Sequence, residues 1–284
     1  MMNDIAESKK NLYEIFKKEK LFSVKKTIYF PIYERCLNKY IGKKITLVEI
    51  GVADGGSLLM WKEYFGNQAR IIGIDANTSA KKIEKYGVEI FIGDQSDPLF
   101  WKEFYKKIGN IDVLIDDGGH TNRQQIITVD SSINFINDNG SIIIEDIETS
   151  YIREFGNPSK YSFINFCIKK VHNLTLRDAD FSNLKSKYTQ SIYSIYFFDS
   201  IVCFNIDKTK CIISNYEDNR GTHAESFQEM RNITSYFGHW LNLRDILLKY
   251  FKFLIHLRKI FNFKFIQIVI FKYENYTLKK YFKE

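Results

Sequence analysis

The chain has 284 residues, 45% of them hydrophobic, enough apolar material to fill one large α/β domain with appendages, which argues against intrinsic disorder. Its net charge of +7 is unevenly placed: residues 1–44 carry eleven basic against five acidic groups, residues 45–243 carry 20 against 26, and residues 244–284 carry ten against three. An acidic centre between basic ends argues against a phosphate-backbone groove over the middle of the chain, because counterion release needs Lys and Arg clustered at the binding face.

The opening MMNDIAESKK is polar and lacks the apolar core of a secretory signal, and the C-terminal LLKYFKFLIHLRK is broken by charge every few residues. A cytoplasmic protein without a transmembrane span is expected. Four cysteines, Cys36, Cys167, Cys203 and Cys211, form no CxxC pair, so they read as reduced thiols and not as a disulfide framework or zinc knuckle.

Residues 1–44 look helical and precede the rest as a cap. From Ile45 the chain alternates: a strand at 45–51 (ITLVEIG), a helix at 57–65 stopped by Gly66-Asn67, and a strand at 70–75 (RIIGID). Then come SAKKIEKY closed by Gly87, a strand at 88–94, and DPLFWKEFYKKI, opened by the Asp97 cap and Pro98 and ended by Gly109. A strand at 111–117 (IDVLIDD), a helix over 121–136, a turn at Asn139-Gly140 and a strand at 141–146 (SIIIED) follow. Such βα alternation with nearly continuous Ile/Val strands predicts a doubly wound parallel sheet covered by helices on both faces. After a helix near 159–172, SIYSIYFFDSIVCFNID reads as two strands meeting at Asp199-Ser200, an antiparallel hairpin that closes the sheet. The organisation expected is a cap at 1–44, a domain at 45–210, and a basic, aromatic, helix-prone extension at 211–284.

In a doubly wound sheet the ligand lies across the carboxyl ends of the strands. Here those ends carry Glu49, Gly51, Asp54, Asp75, Asp94-Gln95, Asp116-Asp117-Gly118-Gly119-His120 and Glu145-Asp146, a heavily acidic rim. The first loop spells GVADGG, which is neither GxGxxG nor a Walker pattern, and Asp54 would repel pyrophosphate. S-adenosylmethionine, with a sulfonium and an ammonium but no phosphate, suits such a rim. Asp75, in the second βα turn, can accept bonds from both ribose hydroxyls, unless it is only a turn residue.

The run YERCLNKYIGKKITLVEIGVADGGSLLMWKEYFGNQARIIGID, with GDQSD, IDDGGH and IIIEDIETSY, resembles the class I S-adenosylmethionine-dependent methyltransferases. More narrowly, it is similar to the metal-dependent sugar O-methyltransferases of the macrocin and mycinamicin type, over roughly residues 25–205. The resemblance implies a Rossmann-like seven-stranded sheet. It implies that Glu49, Gly51 and the following turn face the methionine part of the cofactor, that Asp75 binds its ribose, and that Asp94 and Gln95 lie at its adenine. It also implies that Asp117, Glu145 and Asp146 hold a magnesium ion and that His120 is the general base. Gly119 stands where such enzymes commonly have Ser, and the last 75 or so residues match no pattern of the family.

The residues read alone agree. Strands ending at Asp117 and at Glu145-Asp146 are neighbours in this topology, so three carboxylates converge, and oxygen donors without sulfur suit Mg²⁺, Ca²⁺ or Mn²⁺. A cation there can engage a sugar diol and lower a hydroxyl pKa. His120 starts a helix, whose terminus favours neutral imidazole, while Asp116 and Asp117 favour the cation.

Plainer readings stand beside these. Asp116 is either a cofactor contact or the cap of the next helix, His120 either a base or a loop histidine, and Glu145-Asp146 either ligands or a solvated loop. Trp61 and Trp101 fall on apolar helix faces and read as core. The basic ends suggest a rival, a methyltransferase of RNA or protein; a second rival is a non-catalytic module. Lys249, Lys252, Arg258, Lys259 and Lys264 among Phe, Leu and Ile would suit peripheral contact with an anionic membrane or, more commonly, packing on a second subunit in a homo-oligomer. Lys/Ile/Asn/Phe-rich usage is compatible with an AT-rich bacterial genome and hence with a capsular or surface glycan as the methylated product.

Overall fold

The computed structural model describes residues 11–155, 160–177, 186–212 and 216–222, with isolated positions after 238. The chain divides into two units, Met1–Asn215 and Tyr216–Glu284, and among the described residues every strand lies in the first. The expected C-terminal helix with Lys249, Lys252, Arg258, Lys259 and Lys264 lies outside the described residues.

Strands β1 (Thr46–Ile50), β2 (Arg70–Asp75), β3 (Glu89–Ile92), β4 (Ile111–Asp116), β5 (Ile136–Ile144), β6 (Ile192–Phe197) and β7 (Val202–Ile206) form one sheet in the order β3-β2-β1-β4-β5-β7-β6. The first five pair in parallel, and β7 pairs antiparallel with both β5 and β6. The helices are α1 (Leu12–Lys18), α2 (Tyr29–Leu37), α3 (Gly56–Phe65), α4 (Pro98–Ile108), α5 (Asn122–Ser132), α6 (Phe163–Thr175) and α7 (Lys187–Ser191). This is the doubly wound, mostly parallel sheet with a closing antiparallel hairpin that the sequence predicts.

Alternate strand residues feed two apolar clusters, as the period of two in a strand requires. Leu47, Val113, Ile115 and Ile143 pack with Tyr33, Leu37 and Trp61; Val48, Ile50, Leu114, Ile142 and Ile144 pack with Trp101, Phe104, Val129 and Phe163. Both tryptophans are core, as read from the sequence. Cys36, Cys167 and Cys203 are buried free thiols.

Local chemistry explains three departures. Residues 78–86 form a tight 3₁₀ segment between the Asn77 cap and Gly87. Asn139-Gly140 does not separate helix from strand: it lies inside β5, where Asn139 takes φ +61° and the register with β4 jumps from Ile111↔Ile136 to Val113↔Ser141. The bulge lengthens β5 toward its start, and the helix expected to reach 136 ends at Ser132. In the cap, α1 and α2 are helical, but residues 19–28 between them form an arm without helix.

That arm crosses the start of α3 at close range. A Cβ on Gly56 would run into the carbonyl oxygens of Leu21 and Phe22, so only glycine lets the two backbones pass. The register aligns Ile50 with Ile74 and Asp116, and Asp116 with Ile144, which brings the carboxyl ends of β1, β2, β4 and β5 to one edge beneath the arm. Gly56→Ala should lower stability by about 1–3 kcal/mol through overpacking. Limited proteolysis alongside thermal unfolding checks this: cleavage within residues 19–28 should become faster than in the wild type.

Candidate active site

Two loops meet at the switch point between β1 and β4. Gly51, at φ +88°, lies so close to the Asp117 carbonyl that a Cβ would collide with it. The backbone N–H of Asp117 donates to Ile50 O at 3.0 Å, joining the loops. Beside them is a cavity of about 230 Å³ lined by Gly51, Asp75, Asp94, Gln95, Gly118 and Gly119, among others. Four of the six residues expected at the cofactor, Gly51, Asp75, Asp94 and Gln95, line it; Asp116 and Glu49 do not.

The reasons are physical. Asp75 Oδ2 accepts from the N–H groups of Val52 and Ala53, at 2.9 and 3.2 Å, and Oδ1 from Asn77, so this carboxylate shapes the first loop from the second. Asp116 is only 1% exposed, and both its oxygens accept from Gln95 Nε2 at 2.9 Å. Burial raises its pKa, against the donors Gln95, Gly118 N–H and Thr128. It therefore acts on the cavity wall through Gln95, whose Oε1 accepts from Gly119 N–H at 3.0 Å, and the helix-cap reading of Asp116 falls away because Thr121 caps α5. Glu49 is fully buried and accepts from Ser57 Oγ at 2.7 Å and Trp61 Nε1 at 3.2 Å.

The carboxylates expected to converge as Asp117, Glu145 and Asp146 instead form two groups that share Asp117. The inner group is Glu49, Asp117 and Glu145; the outer is Asp117, His120 and Asp146. The split follows from backbone geometry: Asp146 adopts a left-handed conformation, φ +51°, so its side chain leaves the direction of Glu145. His120 is also left-handed, φ +56°, and its Nε2 stands 3.6 Å from Asp146 Oδ2 and 3.9 Å from Asp117 Oδ1. Its Nδ1 is buried and has no hydrogen-bond partner. Thr149 Oγ1 lies 2.9 Å from His120 O and 2.8 Å from Asp146 O, tying the two turns together.

Four residues of the cap complete the site, and the sequence reading does not include them. Lys25 Nζ lies 2.6 Å from Asp117 Oδ2, 2.8 Å from Glu145 Oε1 and 3.4 Å from Glu49 Oε1. Tyr33 OH donates to Glu145 Oε1 at 2.5 Å, and Tyr29 OH to Asp146 Oδ1 at 2.5 Å. Lys26 pairs with Asp146 at 2.9 Å and with Glu148. The available signals are Tyr29 and Tyr33, one helical turn apart at the start of α2, and a Lys-Lys pair just before them.

The charges answer one another. Burial would lower Lys25, but Glu145, Tyr33, Glu49 and Asp117 hold it well above the usual lysine range. Burial, eased by Lys25 and reinforced by Asp117, pushes the Glu145 carboxyl up to about 8. Asp146 goes the other way: burial opposes the shift, yet the bonds from Tyr29 and Lys26 hold it below the carboxylate range. Gln95→Glu should destabilise the fold by about 3 kcal/mol or more, because it sets a second carboxylate against buried Asp116 and removes its donor. Urea unfolding of the two proteins checks this.

No protein-family model matches the chain. It is 34% identical over 130 residues to the 8-demethyl-8-alpha-L-rhamnosyl tetracenomycin-C 2'-O-methyltransferase of Streptomyces olivaceus, covering 43% of this chain and 34% of that one. It is 30% identical over 138 residues to the demethylmacrocin O-methyltransferase of Streptomyces fradiae (46% and 34%) and 30% identical over 135 residues to the mycinamicin VI 2''-O-methyltransferase of Micromonospora griseorubida (45% and 33%). The chain thus spans about a third of the length of the curated relatives it matches. The crystal structure of the MycE methyltransferase of the mycinamycin biosynthetic pathway, in complex with Mg, SAH and mycinamycin VI, superposes with a TM-score of 0.65 at 21% identity, over 75% of this chain and 58% of that one. The chain therefore has the Rossmann-like methyltransferase fold and, over nearly half its length, resembles the macrocin and mycinamicin O-methyltransferases in sequence.

Proposed function

We propose that the protein is an S-adenosylmethionine-dependent, divalent-metal-assisted O-methyltransferase acting on a sugar hydroxyl. The observation that carries this reading is the outer group of Asp117, His120 and Asp146, with Glu145 behind it, beside the cavity lined by Gly51, Asp75, Asp94 and Gln95. The similarity to O-methyltransferases named for a rhamnosyl tetracenomycin and for mycinamicin VI supports the sugar as acceptor.

The donor chemistry fits a hard cation: Asp117 lies within reach of Glu145 on one side and of His120 and Asp146 on the other, and the buried Nδ1 of the imidazole has no partner. Asp117, Glu145 and Asp146 would hold it, and when bound it supplies positive charge that lowers the pKa of a hydroxyl. Asp75 would orient the cofactor, which carries the methyl group on its sulfonium, and Gln95, held by Asp116, keeps the cavity wall in shape. His120, with Nε2 facing Asp117 and Asp146, takes the hydroxyl proton as the methyl passes to oxygen, a contribution of ~10²–10⁴-fold for a positioned base. Alignment of donor and acceptor supplies much of the rest.

Residues 45–210 form the catalytic domain in this reading, with the cap at 1–44 and an extension at 211–284 that supports a cytoplasmic homo-oligomer or a membrane-surface contact through its basic, aromatic pattern. Among the described residues no helix is long and apolar enough to cross a membrane. A capsular or surface glycan as the product is the finer part of this proposal, compatible with the Lys/Ile/Asn/Phe-rich residue usage of an AT-rich bacterial genome.

Titration calorimetry with S-adenosylhomocysteine tests the cofactor first. A micromolar Kd, about −8 kcal/mol, weakened at least about tenfold in Asp75→Ala, is expected. No binding overturns the reading. With the cofactor established, transfer to sugar acceptors should fall by about 10² or more in His120→Ala and on chelation of divalent cations. Equal transfer in the presence of chelator removes the metal from the proposal.

A further inference from the structure

Each candidate metal ligand already carries an ammonium from the arm. Lys25, its side chain 1% exposed, sits between Asp117 Oδ2 and Glu145 Oε1, at 2.6 and 2.8 Å, and Lys26 lies 2.9 Å from Asp146 Oδ1. Two adjacent lysines thus bring a charge of +2 to the three carboxylates that would hold a divalent cation. We propose that Lys25 and the divalent metal exclude each other, so that metal entry drives Lys25 out from between Asp117 and Glu145 and frees the arm over residues 23–28. This rests on the metal reading above and deepens it, by assigning Lys25 as the residue that sets metal affinity.

Distance makes the exclusion steric as well as electrostatic. A divalent ion lies ~2.0–2.6 Å from carboxylate oxygens, so one bound through Asp117 and Glu145 takes the ground that Nζ holds. Among the described residues, the displaced ammonium keeps one of its three carboxylate partners inside. Its remaining partner, Glu49 at 3.4 Å, is already engaged by Ser57 and Trp61, and a buried ammonium facing a dication without a full counter-charge is strongly disfavoured.

The arm is built to let it leave. Residues 22–26 have no regular structure, and Phe22 and Val24 are 66% and 70% exposed, so little apolar burial opposes lifting of this segment. Its fixed points lie at either end, the crossing at Gly56 and the start of α2. Without metal, Lys25 serves a second purpose: it neutralises buried carboxylates that would otherwise repel one another.

Amine labelling followed by mass spectrometry reads the exchange directly in the wild-type protein. Lys25 should be protected without metal and become severalfold more reactive at saturating Mn²⁺, with KCl of equal ionic strength as the control. In parallel, Mn²⁺ titration followed by electron paramagnetic resonance should show Lys25→Met binding at least about tenfold tighter than the wild type, since no tethered cation competes. Lys25 labelling that Mn²⁺ leaves unchanged, or Lys25→Met binding no tighter while still folded, overturns the exchange. Absence of Mn²⁺ binding in both proteins overturns the metal reading itself, and the exchange with it.

Discussion

The whole edge of this sheet depends on how buried negative charge is compensated. Glu49, Asp116 and Glu145 are each at most 1% exposed, at the carboxyl ends of β1, β4 and β5. An isolated carboxylate at such depth costs several kcal/mol, more than most single packing contacts return. The fold meets that cost in two ways. Asp116 is compensated by neutral donors, Gln95 and the Gly118 N–H, which also fix the cavity wall. Glu49 and Glu145 share the ammonium of Lys25, which comes from a different part of the chain. The cap is thus an electrostatic part of the sheet as well as an apolar cover.

What the sequence reveals and what it hides divide along the same line. The strands are legible because parallel strands buried on both faces read as runs of Ile and Val, and because the loops carry Gly and Asp at their turns. Since a parallel sheet gathers its strand ends, Asp75, Asp117, Glu145 and Asp146 can be placed at one edge without any contact being known. Lys25 and Tyr33 cannot be found in this way: they meet Glu145 across 120 and 112 residues, and no local period marks a lysine in an irregular arm. Asn139-Gly140 is misleading for a related reason. The dipeptide does supply a left-handed residue, but as a bulge inside β5, a use that depends on the partner strand.

The split of the carboxylates into inner and outer groups changes how the edge can work. Asp117 belongs to both, with Oδ2 toward Lys25 and Oδ1 toward His120, so a change of charge on one side is felt on the other through a single side chain. Tyr33 and Tyr29, one turn apart on α2, each hold one of the consecutive residues Glu145 and Asp146. The first turn of one cap helix thereby fixes the orientation of both carboxylates. A rim assembled from exposed acidic loops would lack that rigidity, and positioned donors are what separates a site from solvated charge.

Backbone strain points to the same place. His120 and Asp146 both hold left-handed conformations without being glycine, which costs of order 1–3 kcal/mol each, and strain of this kind persists only where the surroundings over-determine it. Here they do: Thr149 bridges the two carbonyls, Tyr29 holds the Asp146 side chain, and the capping box of Thr121 and Gln124 sets the start of α5 immediately after His120. Glycine at either position would relieve the strain and keep the turn. It would also remove the imidazole or the carboxylate, the two groups the strained backbone brings within 3.6 Å of each other. The chain retains side chains where the backbone alone would favour their loss, and under the proposed methyl transfer to a hydroxyl those side chains would serve as the base and one of the metal ligands.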